Sequence, residues 1–79
     1  MDKNTCVIKL NTIDKVKDFV SRISMFDCDV DILYGRYIID ATSIMGIFSL
    51  DLMNSLKAVI HTDDYDELKR FFKMMEDFK

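Results

Sequence analysis

The sequence predicts an α/β protein of the α+β type, an open-faced β-sandwich with the order β-α-β-β-α-β-α. In this fold three helices cover one face of a four-stranded antiparallel sheet. Two observations predict it: four short segments alternate inward apolar positions with outward ones, and segments between and after them have helical spacing. The chain has 79 residues, of which 49% are hydrophobic. That length suffices for one core, so residues 1–79 are predicted to form a single domain.

The first strand and the first helix are predicted in the N-terminal third of the chain. Cys6, Ile8 and Leu10 occupy alternate positions, which is the period of a strand with one buried face. After Asn11-Thr12 the apolar period becomes helical, and either side chain can cap the helix. The apolar positions of this helix are Ile13, Val16, Phe19, Val20 and Ile23.

The middle of the chain predicts a β-hairpin followed by a short helix. The second strand covers about Val30 to Tyr34, and Gly35-Arg36 is the turn. The inward positions of the third strand are Tyr37, Ile39 and Ala41. Thr42-Ser43 is typical of a helix start, and the segment from Ile44 to Leu50 is unusually apolar.

The C-terminal third predicts the fourth strand and the longest apolar helical pattern. Leu56, Ala58 and Ile60 point inward, and His61 points outward near the end of the strand. Acidic residues crowd the start of the last helix, from Asp63 to Glu67, where the helix dipole favours negative charge. The apolar stripe of this helix is Tyr65, Leu68, Phe71, Phe72, Met75 and Phe78.

Composition excludes several classes of function. A net charge of −3 with scattered basic residues opposes general nucleic-acid binding. No apolar run approaches the roughly 20 residues of a membrane span, and we expect a cytoplasmic protein. One histidine excludes a multi-histidine metal centre, and no cofactor is expected. Cys6 and Cys28 are interpreted as small buried thiols rather than redox or metal ligands.

Three acidic residues have the spacing that opens a calcium loop. They are Asp27, Asp29 and Asp31, but the sixth and twelfth positions of that loop are Ile32 and Ile38. Those positions require glycine and a bidentate glutamate. We interpret the segment as the entry to a strand with outward acids.

His61 and the carboxylates give no sign of an active site. His61 has no partner at a characteristic spacing, so a solvated surface histidine is favoured over a general base or a phosphoacceptor. The carboxylates lie on predicted solvated faces and form no acid-base pair. The sequence therefore predicts a protein that is not an enzyme.

Ser43 permits two interpretations. It can be a capping serine beside ordinary core residues. Alternatively, its phosphorylation places about two negative charges at a helix start. Ile44, Met45 and Phe48 cannot all face the core from so short a helix, so they would then form an exposed docking patch.

The segment Thr42-Ser43-Ile44-Met45-Gly46-Ile47-Phe48-Ser49-Leu50 closely resembles the regulatory-serine segment of HPr. HPr is the histidine-containing phosphocarrier of the bacterial sugar phosphotransferase system, and the likeness is strongest to Gram-positive forms. Phe19-Val20 also falls where the first helix of the family has a Phe-Val pair, with no insertion before Ser43. The element order and length are those of the family, so the resemblance covers essentially the whole chain.

The resemblance implies specific roles for the serine segment. Ser43 matches the serine that an ATP-dependent regulatory kinase phosphorylates in the family. Ile44, Met45 and Phe48 match the exposed apolar positions that dock enzyme I, that kinase and a catabolite-control transcription regulator.

The phosphocarrier half of the family pattern is absent. In the same register Thr12 stands at the phosphohistidine position, Asp14 at the arginine position and Lys15 at the proline position. A neutral imidazole nitrogen accepts and returns a phosphoryl group readily, whereas a threonine hydroxyl is a poor unactivated nucleophile whose ester is too stable to pass on. Asp14 places a carboxylate where the family has a cation beside phosphate.

Three hypotheses follow. The leading one is an HPr-like regulatory protein that binds phosphotransferase-system or regulatory proteins through the Ser43 segment. The second is a phosphocarrier with an unconventional acceptor, either His61 or Thr12. In the fold of the family His61 would lie roughly 20 Å from the start of the first helix. The third is an interaction domain without phosphorylation.

Overall fold

A computed structural model describes residues 4–79 and contains the predicted elements in the predicted order. The order β-α-β-β-α-β-α and the four-stranded antiparallel sheet are confirmed. A short 3₁₀ helix, Glu76–Phe78, follows the last α-helix. The elements are β1 (Thr5–Ile8), α1 (Ile13–Ile23), β2 (Val30–Tyr34), β3 (Tyr37–Asp40), α2 (Ile44–Phe48), β4 (Leu56–Ile60) and α3 (Tyr65–Met75).

The sheet has the strand order β1-β4-β2-β3, and every neighbouring pair is antiparallel. Ala58 of β4 lies opposite Cys6 of β1 on one side and Ile32 of β2 on the other. Since side chains alternate between the two faces of a strand, these three residues share the face that the helices cover. All three are buried, which places the core on that face.

The helices fill the core with side chains at helical spacing. Val16, Phe19 and Ile23 of α1 are buried, as are Phe71 and Met75 of α3. Burial of each such side chain stabilises the fold by about 1.5–3 kcal/mol. The Phe19 ring meets the Phe78 ring edge to face, with 5.5 Å between centroids, so α1 packs against the C-terminal end of the described chain.

Side-chain caps fix the starts of the two long helices. Thr12 Oγ1 accepts a hydrogen bond from the backbone N–H of Lys15 at 3.1 Å, so Thr12 rather than Asn11 caps α1. Asp64 Oδ1 accepts hydrogen bonds from the backbone N–H groups of Asp66 and Glu67 at 2.9 and 3.4 Å. Each cap satisfies amides that have no partner within their own helix.

Three predicted inward positions are wrong in detail. Ile13 is 62% exposed and Tyr65 is 71% exposed, and each is the first residue of its helix. A side chain at that position points back towards the helix N-terminus, beyond the covered part of the sheet. Tyr37 lies on the helix side near Leu50 but is 62% exposed, because only the irregular segment after α2 lies beside this end of the hairpin. Phe78 is buried from the 3₁₀ helix rather than from α3.

The two glycines have different structural roles: Gly35 permits a positive φ in a turn, and Gly46 permits a close contact between two elements. Gly35 has a φ of 59° at the first central position of the hairpin turn, a conformation that residues with a Cβ rarely adopt. Gly46 lies where α2 approaches β3. A Cβ at Gly46 would stand 2.9 Å from Ile39 Cγ2 and 3.0 Å from Ser43 Oγ.

We predict that Gly46→Ala destabilises the protein by about 1–3 kcal/mol, as is usual for overpacking. The added methyl group must push α2 away from Ile39 and disturb the Ser43 cap, which outweighs the higher helix propensity of alanine. Urea denaturation followed by circular dichroism measures the change.

Met45→Ala is the matched control, because Met45 lies next to Gly46 and is 75% exposed. Its free energy of unfolding should stay within about 0.5 kcal/mol of the wild-type value. Equal or greater stability of Gly46→Ala would contradict the close approach of α2 to β3.

Candidate functional site

The short helix α2 presents most of its side chains outward. It packs against α1 and β3, and of its five residues only Ile47 is fully buried. Met45 is 75% exposed and Phe48 is 36% exposed, whereas Ile44 is half-buried against the core. We call Ile44, Met45 and Phe48 the docking patch, which is the set that the sequence singles out.

Ser43 is the N-cap of α2 and is exposed. Its Oγ accepts a hydrogen bond from the backbone N–H of Gly46 at 3.4 Å. Its backbone carbonyl accepts from the N–H of Ile47 at 3.0 Å, and its own N–H donates to the carbonyl of Asp40 at 2.9 Å. The backbone of Ser43 is therefore held firmly, while its hydroxyl makes one long hydrogen bond and faces solvent.

A carboxylate that the sequence did not single out braces the segment before Ser43. The backbone N–H and the hydroxyl of Thr42 donate to Asp40 Oδ1 at 2.8 and 2.6 Å. These hydrogen bonds hold the pKa of Asp40 below its ordinary value, because they favour the charged carboxylate. The docking patch and Ser43 thus lie beside a negative charge. An aspartate two residues before a threonine is an Asx-type turn signal that could have revealed this.

The residues that the resemblance assigns to the phosphohistidine segment form an ordinary helix start. Thr12 is exposed, and its hydroxyl oxygen is engaged as the cap of α1. Asp14 is exposed in the first turn, where the helix dipole favours a carboxylate. Among the described residues, no imidazole or guanidinium lies in this turn. The local chemistry suits helix capping rather than phosphoryl transfer.

His61 is exposed at the surface and has a partner that is distant in the sequence. His61 Nε2 lies 2.8 Å from Asp31 Oδ2. Its backbone N–H also donates to the carbonyl of Asp29 at 2.9 Å. The pair is 30 residues apart in sequence, so only the antiparallel register of β2 and β4, in which Val30 lies opposite Ile60, could have indicated it.

His61 and Thr12 lie at opposite ends of the sheet. Ile8, near the start of α1, pairs with Leu56 at the start of β4, whereas His61 follows the end of β4. A strand rises about 3.4 Å per residue, so the five steps from Leu56 to His61 span about 17 Å. The geometry agrees with the expectation that His61 does not replace a group at Thr12.

Of the two cysteines, Cys6 is buried and Cys28 is half-buried. Burial raises the pKa of the Cys6 thiol, which is buried in the core. Burial, and then the nearby Glu67 carboxylate, raise the pKa of the Cys28 thiol, whose Sγ lies 3.6 Å from Glu67 Oε2. Both effects disfavour the thiolate, which is the reactive form. Within residues 4–79, no cluster of three or more potential ligands is placed to hold a metal ion.

The described part of the chain has no helix of sufficient length and apolar character to cross a membrane.

A further feature that the sequence did not single out is a set of cations on the outer face of α3, comprising Lys69, Arg70 and Lys73. They lie beside Tyr65, which is exposed, and beside Leu68 and Phe72, which are half-buried. The helical spacing of these residues is visible in the sequence, but their exposure depends on which face α3 turns to the sheet.

Comparison with known proteins identifies one structural relative. No family model and no curated protein matches the sequence. The fold is similar to the crystal structure of HPr-C-His from Thermoanaerobacter tengcongensis, with a TM-score of 0.72 and 25% sequence identity. The similarity covers 96% of this chain and 92% of the other. Strand order, helix positions and this similarity over nearly the whole chain together identify the protein as an HPr-like protein.

Proposed function

We propose that this chain is a cytoplasmic regulatory protein that binds other proteins through the docking patch and does not carry a phosphohistidine. Phosphorylation of Ser43 switches this binding, and the chain is not itself an enzyme. One observation carries the proposal. Two exposed side chains of the docking patch, Met45 and Phe48, lie on the helix that the exposed Ser43 caps, whereas the residue at the family's phosphohistidine position is a threonine that caps α1.

The shape and chemistry of the docking patch suit protein partners. Met45 is held on a helix that Ile47 anchors in the core, so its position is defined although its side chain is exposed. Methionine is unbranched and polarisable, and it adapts to different apolar surfaces. By resemblance, the partners are enzyme I-like proteins, HPr kinase-like proteins and a transcription regulator.

The surroundings of Ser43 support its role as a switch. Phosphorylation leaves the backbone hydrogen bonds of Ser43 in place, and the phosphate oxygens can accept from the helix-start amide that Ser43 Oγ now caps. The phosphate adds about two negative charges beside Met45 and near the ionised Asp40. A partner that buries the docking patch must desolvate these charges or supply cations for them. Phosphorylation therefore selects between partners with apolar and with basic surfaces.

The first prediction concerns phosphoryl transfer from phosphoenolpyruvate. With a purified Gram-positive enzyme I, the wild-type chain should gain no acid-labile phosphate, because Thr12 offers no imidazole. The triple variant Thr12→His, Asp14→Arg, Lys15→Pro restores the family residues and should gain it, since the docking patch is intact. Radiolabelled phosphoenolpyruvate and acid treatment of the product measure the transfer.

Substitution of two methionines tests whether the docking patch is needed for phosphoryl transfer to the triple variant. Adding Met45→Ala to the triple variant should lower the transfer rate about tenfold, because a central apolar contact is lost. Adding Met25→Ala is the matched control, since Met25 is 78% exposed and lies just after α1. Acid-labile phosphate on the wild-type chain, or equal rates for the two added substitutions, would sink the proposal.

The second prediction concerns Ser43 and an ATP-dependent HPr kinase. The kinase should add an acid-stable phosphate to the wild-type chain and none to Ser43→Ala. Ser43→Ala should also lose about 1 kcal/mol of stability, because the Gly46 amide loses its cap. Intact-mass spectrometry and thermal unfolding give the two readouts. An unmodified wild-type chain would favour the third hypothesis, an interaction domain without phosphorylation.

The pairing of His61 with Asp31 favours a second candidate function, a phosphocarrier that uses His61. A carboxylate only accepts hydrogen bonds, so in the neutral tautomer that pairs with Asp31 the proton is on Nε2, and the lone pair of Nδ1 is available to attack phosphorus. Alanine substitutions at His61 and at Thr12 distinguish the acceptors. Acid-labile phosphate on the wild-type chain that His61→Ala removes and Thr12→Ala retains would establish this candidate. Its absence from the wild-type chain would exclude it.

A further inference from the structure

An open groove of about 780 Å³ runs along the outer face of α3. Its apolar surface comes from Tyr65, which is 71% exposed, and from Leu68 and Phe72, which are half-buried against the core. These residues follow one helical face at intervals of three and four. Three cations, Lys69, Arg70 and Lys73, complete the lining.

A second groove, of about 460 Å³, runs along β1 and adjoins the first. Its lining includes residues 5–9, Ser55 and Lys79. Phe72 lines both grooves, so the two form one continuous surface from α3 to the edge of the sheet. We call this combined surface the α3-β1 groove.

The strand β1 is at an edge of the sheet, and within residues 4–79 no second strand pairs with its outward side. Asn4 accepts a hydrogen bond from Ile60 of β4, whereas the N–H of Lys9 points the other way, to the carbonyl of Phe78 at 2.6 Å. Since these directions alternate along an antiparallel strand, Thr5 and Val7 share the outward direction of Lys9. Their N–H and C=O groups can pair with an added strand.

The α3-β1 groove has a charge opposite to that of the chain as a whole. Five of the chain's 11 basic residues line it, although the net charge of the chain is −3. Among residues 4–79, no acidic residue is part of the lining. Lys69 and Lys73 form no ion pair with any residue of the described range 4–79, so both ammonium groups can engage an external anion.

We infer that the α3-β1 groove binds an acidic protein segment in extended conformation, which adds to the sheet along β1. The segment's backbone pairs with Thr5 and Val7, its apolar side chains pack on Phe72 and Leu68, and its carboxylates meet the surrounding cations. A nucleic acid fits less well, because it lacks the alternating backbone donors and acceptors that a strand edge requires.

This surface is separate from the docking patch. Helix α3 packs beside β1, whereas α2 packs beside β3 at the opposite edge of the sheet. Two partners can therefore bind at the same time, and the inference does not depend on the proposed role of Ser43.

The probe is an acidic peptide of about nine residues in which glutamate alternates with valine and phenylalanine. It is titrated into the ¹⁵N-labelled chain and followed by NMR. We expect the amide resonances of Thr5 and Val7 to shift and their hydrogen exchange to slow. Raising the salt concentration from about 50 mM to about 500 mM should weaken binding several-fold, because the cations are exposed.

Two double variants with the same change in charge test the location. Lys69→Glu with Lys73→Glu should weaken binding about tenfold or more, since it reverses two charges of the groove. Lys17→Glu with Arg36→Glu is the control, because these exposed residues lie on α1 and in the hairpin turn, outside the groove. Equal weakening by both pairs would overturn the inference, and so would salt-insensitive binding.

Two further outcomes would also overturn it. One is the absence of peptide binding to the wild-type chain at about 1 mM, the usual upper limit for a specific weak complex. The other is binding of a single-stranded thymidine oligonucleotide that is tighter than peptide binding and is lost in Lys69→Glu with Lys73→Glu. That result would assign the cations to nucleic acid instead.

Discussion

The position of β4 between β1 and β2 is the constraint on which the rest of the structure depends. Because β4 pairs with both strands, Ala58 lies opposite Cys6 and opposite Ile32, and the buried face of the sheet is continuous. The same pairing leaves β1 and β3 at the edges, with α3 beside one and α2 beside the other. It also places His61 at the end of the sheet remote from Thr12. Every candidate site is therefore located by the register of one central strand.

The shortness of α2 leaves apolar side chains exposed at this edge of the sheet. A helix of five residues has room for one fully buried side chain, and Ile47 occupies that place. The absence of a Cβ at Gly46 lets the helix lie close against Ile39 of β3. With these two contacts holding the helix, Met45 and Phe48 remain outside and need not pack to stabilise the fold. An apolar side chain that is exposed on a well-anchored element is available for a partner at little cost in stability.

The sequence predicts the elements, their order and the exposure of Met45 and Phe48, because periodicity, capping and helix length are local properties. Alternation in β4 and helical spacing in α3 depend only on neighbouring residues. Exposure of Ile13 and Tyr65 was missed because it depends on where each helix starts relative to the sheet. The hydrogen bond between His61 and Asp31 is not visible in the sequence, because it joins β2 to the residue that follows β4. The period of apolar residues shows which side chains of a strand share a face. It does not show which residues of a distant strand lie opposite them.

Thr12 illustrates how the phosphocarrier chemistry and the fold can be separated. Its hydroxyl oxygen accepts a hydrogen bond from the backbone N–H of Lys15. Such a cap stabilises the helix by about 0.5–2 kcal/mol, and it does not require an imidazole. Asp14 is likewise favourable to the helix start and unfavourable beside a phosphate. Both residues thus favour the start of α1, and under the proposed function they stand where transfer chemistry would require a histidine and a cation. Since α2 is a different helix, these residues leave its exposed side chains unchanged, and one fold can support different sites.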